Sequence, residues 1–545
     1  MTTKLAFNQI DGMSVSVNDY SGLVADGDWA PAIRAALATG AAEVVLPPTG
    51  SYAVESFSEV LDDGTECAFI LTSNVRIVGG GVITSASASN AQAIFGLDAT
   101  SGSIAVDVSD LTFTGANRYR ALHGSTDASL SRLAVKGVTT FAQSFAYNGD
   151  ISKSFKLVNS SFGVAIAAGT AMSPFVSIVF NTSNDFECLI DSNTLRTGTE
   201  VVASAIVLHY LPSGAHVTNN THINIGQVAT EGFDLDNLGS NTLVSGNTAI
   251  YSSYEYKVGS GGYVDSNNCL FTNNVSYESI GAAFSLRSTC IASNNIAYNP
   301  ADYGFFLRDF GPTDISNSDN VWVQGSNNIV VWAGSSMTAA YAVGSTVGAG
   351  NTNFVQNVNF DGFGFYIDPK YKEDNPAAVL PCIGIDLRGD CANIRFANGK
   401  IDETGVANQV QLRDCTSGAT NLTFENITHG DAGDSCYDLL TAQNVKILNP
   451  TFPATIADRP VRFSGVTVAQ ITCPYHASIT FAQVSGGNSG VLINNWGQEA
   501  AGVGNPPSAG VEWPIGCTAE NTDDNTVWLR KSVSAVPASA WIQLA

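Results

Sequence analysis

The chain has 545 residues, 44% of them hydrophobic and only 13% charged, with 52 glycines. That composition excludes a disordered polyacid and describes a folded chain. The formal charge of −24, from 24 Lys and Arg against 48 Asp and Glu, argues against a general binder of nucleic acid or anionic membrane. No apolar run reaches the roughly 18 residues of a membrane span, so no membrane insertion is expected. Residues 1–11 lack the apolar core of a secretory signal, and synthesis in the cytoplasm is expected. The ten cysteines form no Cys-x-x-Cys pair and have no His at zinc spacing. They are expected to be reduced core residues, with no metal and no cofactor.

The first element in chain order is a short helix. Asp28 caps it, Pro31 lies in its first turn, the body is alanine-rich and Gly40 closes it. A strand at residues 43–46 and a Pro47–Pro48 stop follow. A helix here suits the open end of a stacked array, whose terminal coil otherwise exposes apolar core and unpaired edge. Four motifs sit in this region: Phe7-Asn-Gln-Ile-Asp-Gly12, Val15-Ser-Val-Asn-Asp-Tyr20, the Asp26-Gly-Asp28 entry to the helix, and Val44-Val-Leu-Pro-Pro48. Together they resemble the opening of bacteriophage tailspikes, which degrade capsule or O-antigen with a pectate-lyase-like β-helix. The resemblance covers about the first fifth of the chain. It implies a homotrimer on the virion tail that binds, and usually cleaves, a polysaccharide at the host bacterial cell surface. The long N-terminal virion-attachment domain of such proteins is not seen, which implies a tail or adaptor protein as a further partner.

The middle third is periodic, which decides the fold class. The windows ending at Asn193, Asn220, Asn247, Asn274 and Asn295 superpose column by column, at steps of 27, 27, 27 and 21 residues. Five positions before each Asn stands Cys188, Ala215, Thr242, Cys269 or Cys290. A looser series starts at Asn357, Asn393, Asn421 and Asn444. Each unit is a short β-rich run closed by Asn, Gly or Ser, and units so short must stack to bury a face. An all-β, right-handed parallel β-helix is predicted, with equivalent residues about 4.8 Å apart in successive coils. The Asn column is then a ladder at one turn. Leu189, His216, Leu243, Leu270 and Ile291 alternate with Ile190, Val217, Val244, Phe271 and Ala292, so both faces of that sheet are mostly apolar. Only one face can line the interior; the other is expected to be covered, preferably by neighbouring subunits of a trimer.

The strand after each Asn turn is expected to face a binding groove. Its runs, aligned by apolar alternation, begin at Ile206, Phe233, Tyr254, Phe284 and Phe305. The outward positions then include His209, Asp234, Asp236, Glu255, Lys257, Arg287 and Arg308, a concentration of charge in a sparsely charged chain. Glycoside hydrolysis needs two carboxyls, one protonated and one ionised, and crowded carboxylates raise one another's pKa. Asp234, Asp236 and Glu255 are the catalytic candidates; His209, Lys257, Arg287 and Arg308 are the substrate-binding candidates. Two other outcomes are open. In β-elimination, Lys257 or His209 takes the proton beside a uronic carboxylate that the arginines neutralise. In a non-catalytic adhesin fibre, the charges are only a solvated sheet face. His123, His222, His429 and His476 are expected at the surface or in turns.

The C-terminal part alternates glycine-rich turns with short strands. The expected division is an N-terminal segment at 1–90 with the capping helix, the β-helix at 91–475, and a small β-rich module at 476–545.

Overall fold

Strands of three to six residues, ended by side chains that tolerate left-handed backbone, can only build a coil that is repeated. The computed structural model describes residues 13–472 with short interruptions, and beyond them the strands Ala482–Gln483, Ser489–Asn494, Thr518–Asn521, Thr526–Arg530 and Trp541–Gln543. The fold is an all-β parallel β-helix. The chain divides into two compact units, residues 1–259 with 265–275, and residues 260–264 with 276–545.

In the first unit, one coil consists of the strands Glu187–Asp191, Thr194–Thr197 and Ser204–His209, and the next of His216–Thr218, Thr221–Asn224 and Glu231–Asp236. Each strand pairs in parallel with its counterpart one coil on: Leu189 lies opposite His216, Thr194 opposite Thr221 and Ile206 opposite Phe233. Alternation sends Ile190, Val217, Val244 and Phe271 inward, where each is buried. Their neighbours Leu189, His216, Leu243 and Leu270 form one column in register on the outer face, three partly exposed leucines interrupted by the exposed His216. The capping helix, Ala30–Leu37, is shorter than predicted; the Asp28 carboxylate accepts from the Ala30 N–H, 2.9 Å away.

Coils are fastened at the asparagine turn. Oδ1 of Asn220 accepts from both the backbone N–H (3.0 Å) and the side-chain amide (2.9 Å) of Asn193. Asn247 serves Asn220 in the same way, and Asn274 serves Asn247. Each spare amide proton goes to a strand carbonyl, as from Asn220 to Ile190 O at 2.9 Å. The residue before each Asn (Ser192, Asn219, Gly246 or Asn273) sits at φ between 55° and 68°, where small and amide side chains are tolerated best.

The second unit repeats the plan. Asn295 and Asn328 form the same buried pair, at 3.0 Å. The series Asn357, Asn393, Asn421 and Asn444 forms a different, exposed ladder, with side-chain amides linked at 2.7–2.9 Å. Inside, Phe284, Phe305 and Tyr341 stack face to face at 4.7 and 5.3 Å, each pair contributing about 0.5–1.5 kcal/mol beyond its area. Parallel pairing runs on to Ser489–Asn494, past residue 475, and antiparallel pairing joins Thr518–Asn521, Thr526–Arg530 and Trp541–Gln543.

Three histidines are not where the sequence suggested. His222 and His429 are buried in the coils and His123 is 7% exposed; His476 lies outside the described residues. His429 is held between the Gln409 side-chain oxygen (2.6 Å) and the Tyr437 hydroxyl (2.9 Å). Because the Gln409 amide donates to Gly430 O, its oxygen must accept. Nδ1 of His429 therefore carries the proton, and Nε2 accepts from Tyr437. Burial pushes the pKa of His222 and of His429 down to about 3. His123 reaches Asp63 at 2.6 Å. The physical reason for these errors is that a neutral imidazole with partners behaves as a core group, which composition does not reveal. The eight described cysteines are free and seven of them are buried; Cys473 and Cys517 lie outside the described residues. No helix among the described residues is long and apolar enough to cross a membrane.

Candidate functional site

The strand immediately after the Asn turn is an additional one, such as Thr194–Thr197 or Thr221–Asn224, and the groove runs chosen from the sequence lie one strand further on. In Ser204–His209 and Glu231–Asp236, Ile206 stacks over Phe233 and Leu208 over Leu235, all buried. The pleat then turns the alternate residues outward: Val207 lies opposite Asp234, and His209 opposite Asp236. One coil earlier, Ser177 and Val179 occupy the same two columns.

His209 stands between the two carboxylates. Its Nε2 lies 3.7 Å from Oδ2 of Asp234 and 3.6 Å from Oδ2 of Asp236. One oxygen of each carboxylate and one imidazole nitrogen lie mutually within 4.8 Å. Asp234 and Asp236 are 7% and 4% exposed. Nε2 of His209 is buried and makes no hydrogen bond among the described residues. Two carboxylates so deeply placed are costly unless their charge is balanced. One nitrogen and two carboxylate oxygens form a donor set that suits a divalent ion as well as a proton.

The next coil departs from the expected register. Phe233 pairs with Tyr256 and their rings stack at 5.2 Å and 5°, so Lys257, not Glu255, lies opposite Asp234. The apolar alternation fits either slip by two, and aromatic stacking in the core decides between them. The side chains of Glu255 and Lys257, and residues Arg287 and Arg308 entirely, lie outside the described residues. The candidate residues whose placement is described and that come together are thus His209, Asp234 and Asp236.

A second constellation in the other unit escaped the sequence reading. On the outer face of Ile383–Arg388 and Val410–Arg413, the fully buried Asp386 accepts from Arg388 Nε at 2.5 Å and from Arg413 Nη2 at 2.8 Å. Arg388 also donates to the Tyr303 hydroxyl at 3.2 Å. Its signal was present: Ile385-Asp-Leu-Arg388 and Val410-Gln-Leu-Arg413 repeat the apolar-x-Leu-Arg pattern of the runs ending at Arg287 and Arg308.

Fold and site together define a class, the parallel β-helix with titratable groups on the outer face of one sheet. No protein-family model and no curated protein matches the chain. Among solved structures it is similar to a mutant tailspike protein of E. coli bacteriophage HK620 in complex with a pentasaccharide, at 15% identity over 93% of this chain and 80% of that one, with a TM-score of 0.44. It is also similar to the A-module of the Azotobacter vinelandii mannuronan C-5 epimerase AlgE4, at 12% identity over 83% of this chain and 100% of that one, with a TM-score of 0.33.

Proposed function

We propose that the chain is an endo-acting glycosidase that cleaves a bacterial surface polysaccharide, O-antigen or capsule, with Asp234 and Asp236 as the paired carboxyls. The observation that carries this is the approach of the two carboxylates to within 4.8 Å on one strand face. Retaining enzymes pair an acid with a nucleophile in this way. One carboxyl, protonated, gives its proton to the glycosidic oxygen as the C–O bond breaks. The other, ionised, attacks the anomeric carbon. Water then releases the sugar, with the first carboxylate now taking its proton. His209, 3.6 and 3.7 Å from the pair, is a positioning residue beside them. The test is release of reducing ends from purified host polysaccharide by the wild type and by Asp234→Asn and Asp236→Asn. Wild-type rates in both variants overturn the assignment and favour the adhesin.

One observation favours β-elimination as a second reading: Nε2 of His209 has no hydrogen bond among the described residues, which leaves it free to take a proton. In that case the products carry the ultraviolet absorbance of an unsaturated sugar, whereas hydrolysis leaves none. The tailspike-like motifs supply the setting, a homotrimer on the virion tail. The adjacent, partly exposed Leu243 and Leu270 on the outer face support a subunit interface, which sedimentation tests.

A further inference from the structure

A different set of strands in the first unit carries a groove that the proposed chemistry does not use. Val75–Val78, Ala105–Ser109, the end of Arg120–Lys136, the second half of Ser144–Val158 and Glu187–Asp191 stack in parallel. Arg76 lies opposite Asp107, Asp107 opposite Ala134, and Ala134 opposite Lys156, while Arg132 lies opposite Ala105 and Ser154. The small side chains Ala105, Ala134 and Ser154 leave a trough of about 750 Å³ along this outer face, within the usual size of ligand sites.

The trough is basic. Arg76, Arg132, Lys136, Lys153 and Lys156 line it, against Asp107 and Glu187. Five of the chain's 24 cations thus meet in one concavity of a protein of charge −24. Three of them have partners: Arg76 with Glu43 at 3.0 Å, Lys136 with Asp107 at 3.4 Å and Lys156 with Glu187 at 2.7 Å. Arg132 and Lys153 are exposed, and their side chains have neither ion pair nor hydrogen bond among the described residues. Their coils are adjacent, since Arg132 lies opposite Ser154, so the two unspent charges face the same stretch of trough. A concave surface of one sign concentrates ligands of the other.

We propose that this trough is a second carbohydrate site, one that holds a carboxylate-bearing stretch of polysaccharide without cleaving it. The Arg132 guanidinium presents a planar fork that matches a carboxylate, and Lys153 a mobile point charge beside it. Coils that advance by about 4.8 Å repeat such contacts along an extended chain. The proposal is independent of the hydrolase reading, because binding is measured with cleavage disabled.

The experiment uses the full chain carrying Asp234→Asn, with a galacturonic acid hexamer and the neutral maltohexaose as probes in calorimetric titration. The acidic hexamer is expected to bind, more weakly as salt is raised, and maltohexaose is not. Arg132→Ala with Lys153→Ala is expected to weaken binding about tenfold or more with an unchanged melting temperature, since both side chains are exposed. Arg132→Lys with Lys153→Arg is expected to restore most of it. Equal binding of the two probes, or full binding by the double alanine variant, overturns the proposal. So does a change of oligomeric state in that variant with hexamer binding intact, which identifies the trough as an interface between copies.

Discussion

Two outward-facing charge clusters occupy the same kind of strand in the two units and solve opposite problems. Around Asp386, two guanidiniums hold one fully buried carboxylate at 2.5 and 2.8 Å. Around His209, two carboxylates share one imidazole at 3.6 and 3.7 Å, too far for a hydrogen bond. The first cluster is satisfied and can do little but hold the sheet face together. The second brings two acids and an imidazole together with no hydrogen bond between the imidazole and either acid. A charged cluster on a β-helix is therefore informative through the spacing of its members, not through its mere presence.

The comparison breaks most readily at the His209 side. Asp234→Asn and Asp236→Asn are each expected to slow depolymerisation by about 10³-fold, equivalent to about 4 kcal/mol of barrier, with the melting temperature kept; rate and thermal scan are measured on the same sample. Asp386→Asn is expected to do the reverse. Removing the shared partner of Arg388 and Arg413 costs about 3 kcal/mol of stability, read by denaturant unfolding, and leaves the specific activity of the folded fraction unchanged. If Asp386→Asn also abolishes activity, the two clusters are not functionally distinct.

Asn220→Ala probes the scaffold common to both. It removes the acceptor of the Asn193 backbone N–H and amide and strands buried donors, a loss of about 2 kcal/mol, measurable by urea titration. The smallest effect per residue comes from pH. His222 and His429 have pKa values lowered to about 3 in the fold against about 6.5 unfolded. The unfolded chain therefore binds more protons between those values, and stability falls as pH drops through about 6.5. Going from pH 7.5 to 5.5 is expected to cost about 1.4 kcal/mol for each histidine, a loss that His429→Gln reduces by one histidine's share in a pH series of unfolding curves. Chelation by EDTA is expected to change neither rate nor stability; loss of activity assigns a bound cation to the group His209, Asp234 and Asp236.

The coil was legible because its determinants recur. Asn193, Asn220, Asn247 and Asn274 each need the same left-handed neighbour and the same two donors, so the pattern survives in sequence. The pairing of His209 with Asp236 was legible for the same reason, since Ile206 and Phe233 are one full step apart. The next register was not, because the slip by two that sets Phe233 on Tyr256 rather than Tyr254 preserves every apolar position and is settled by ring stacking alone. His222 and His429 were misread because their partners, Thr197 for the first and Gln409 and Tyr437 for the second, come from contacts across coils. Asp386 was missed because only two neighbouring coils give it partners, and one strand read singly shows an ordinary alternation.

The uniform 27-residue spacing from Asn193 to Asn274 has a consequence for how such a chain can change length. Excision of residues 221–247 would carry Asn220 directly onto Asn274, whose Oδ1 already receives the amide and backbone N–H of Asn247. The splice would meet the same acceptor at the same turn. The molecule can thus shorten or lengthen by one complete winding while the asparagine weld between windings is re-formed.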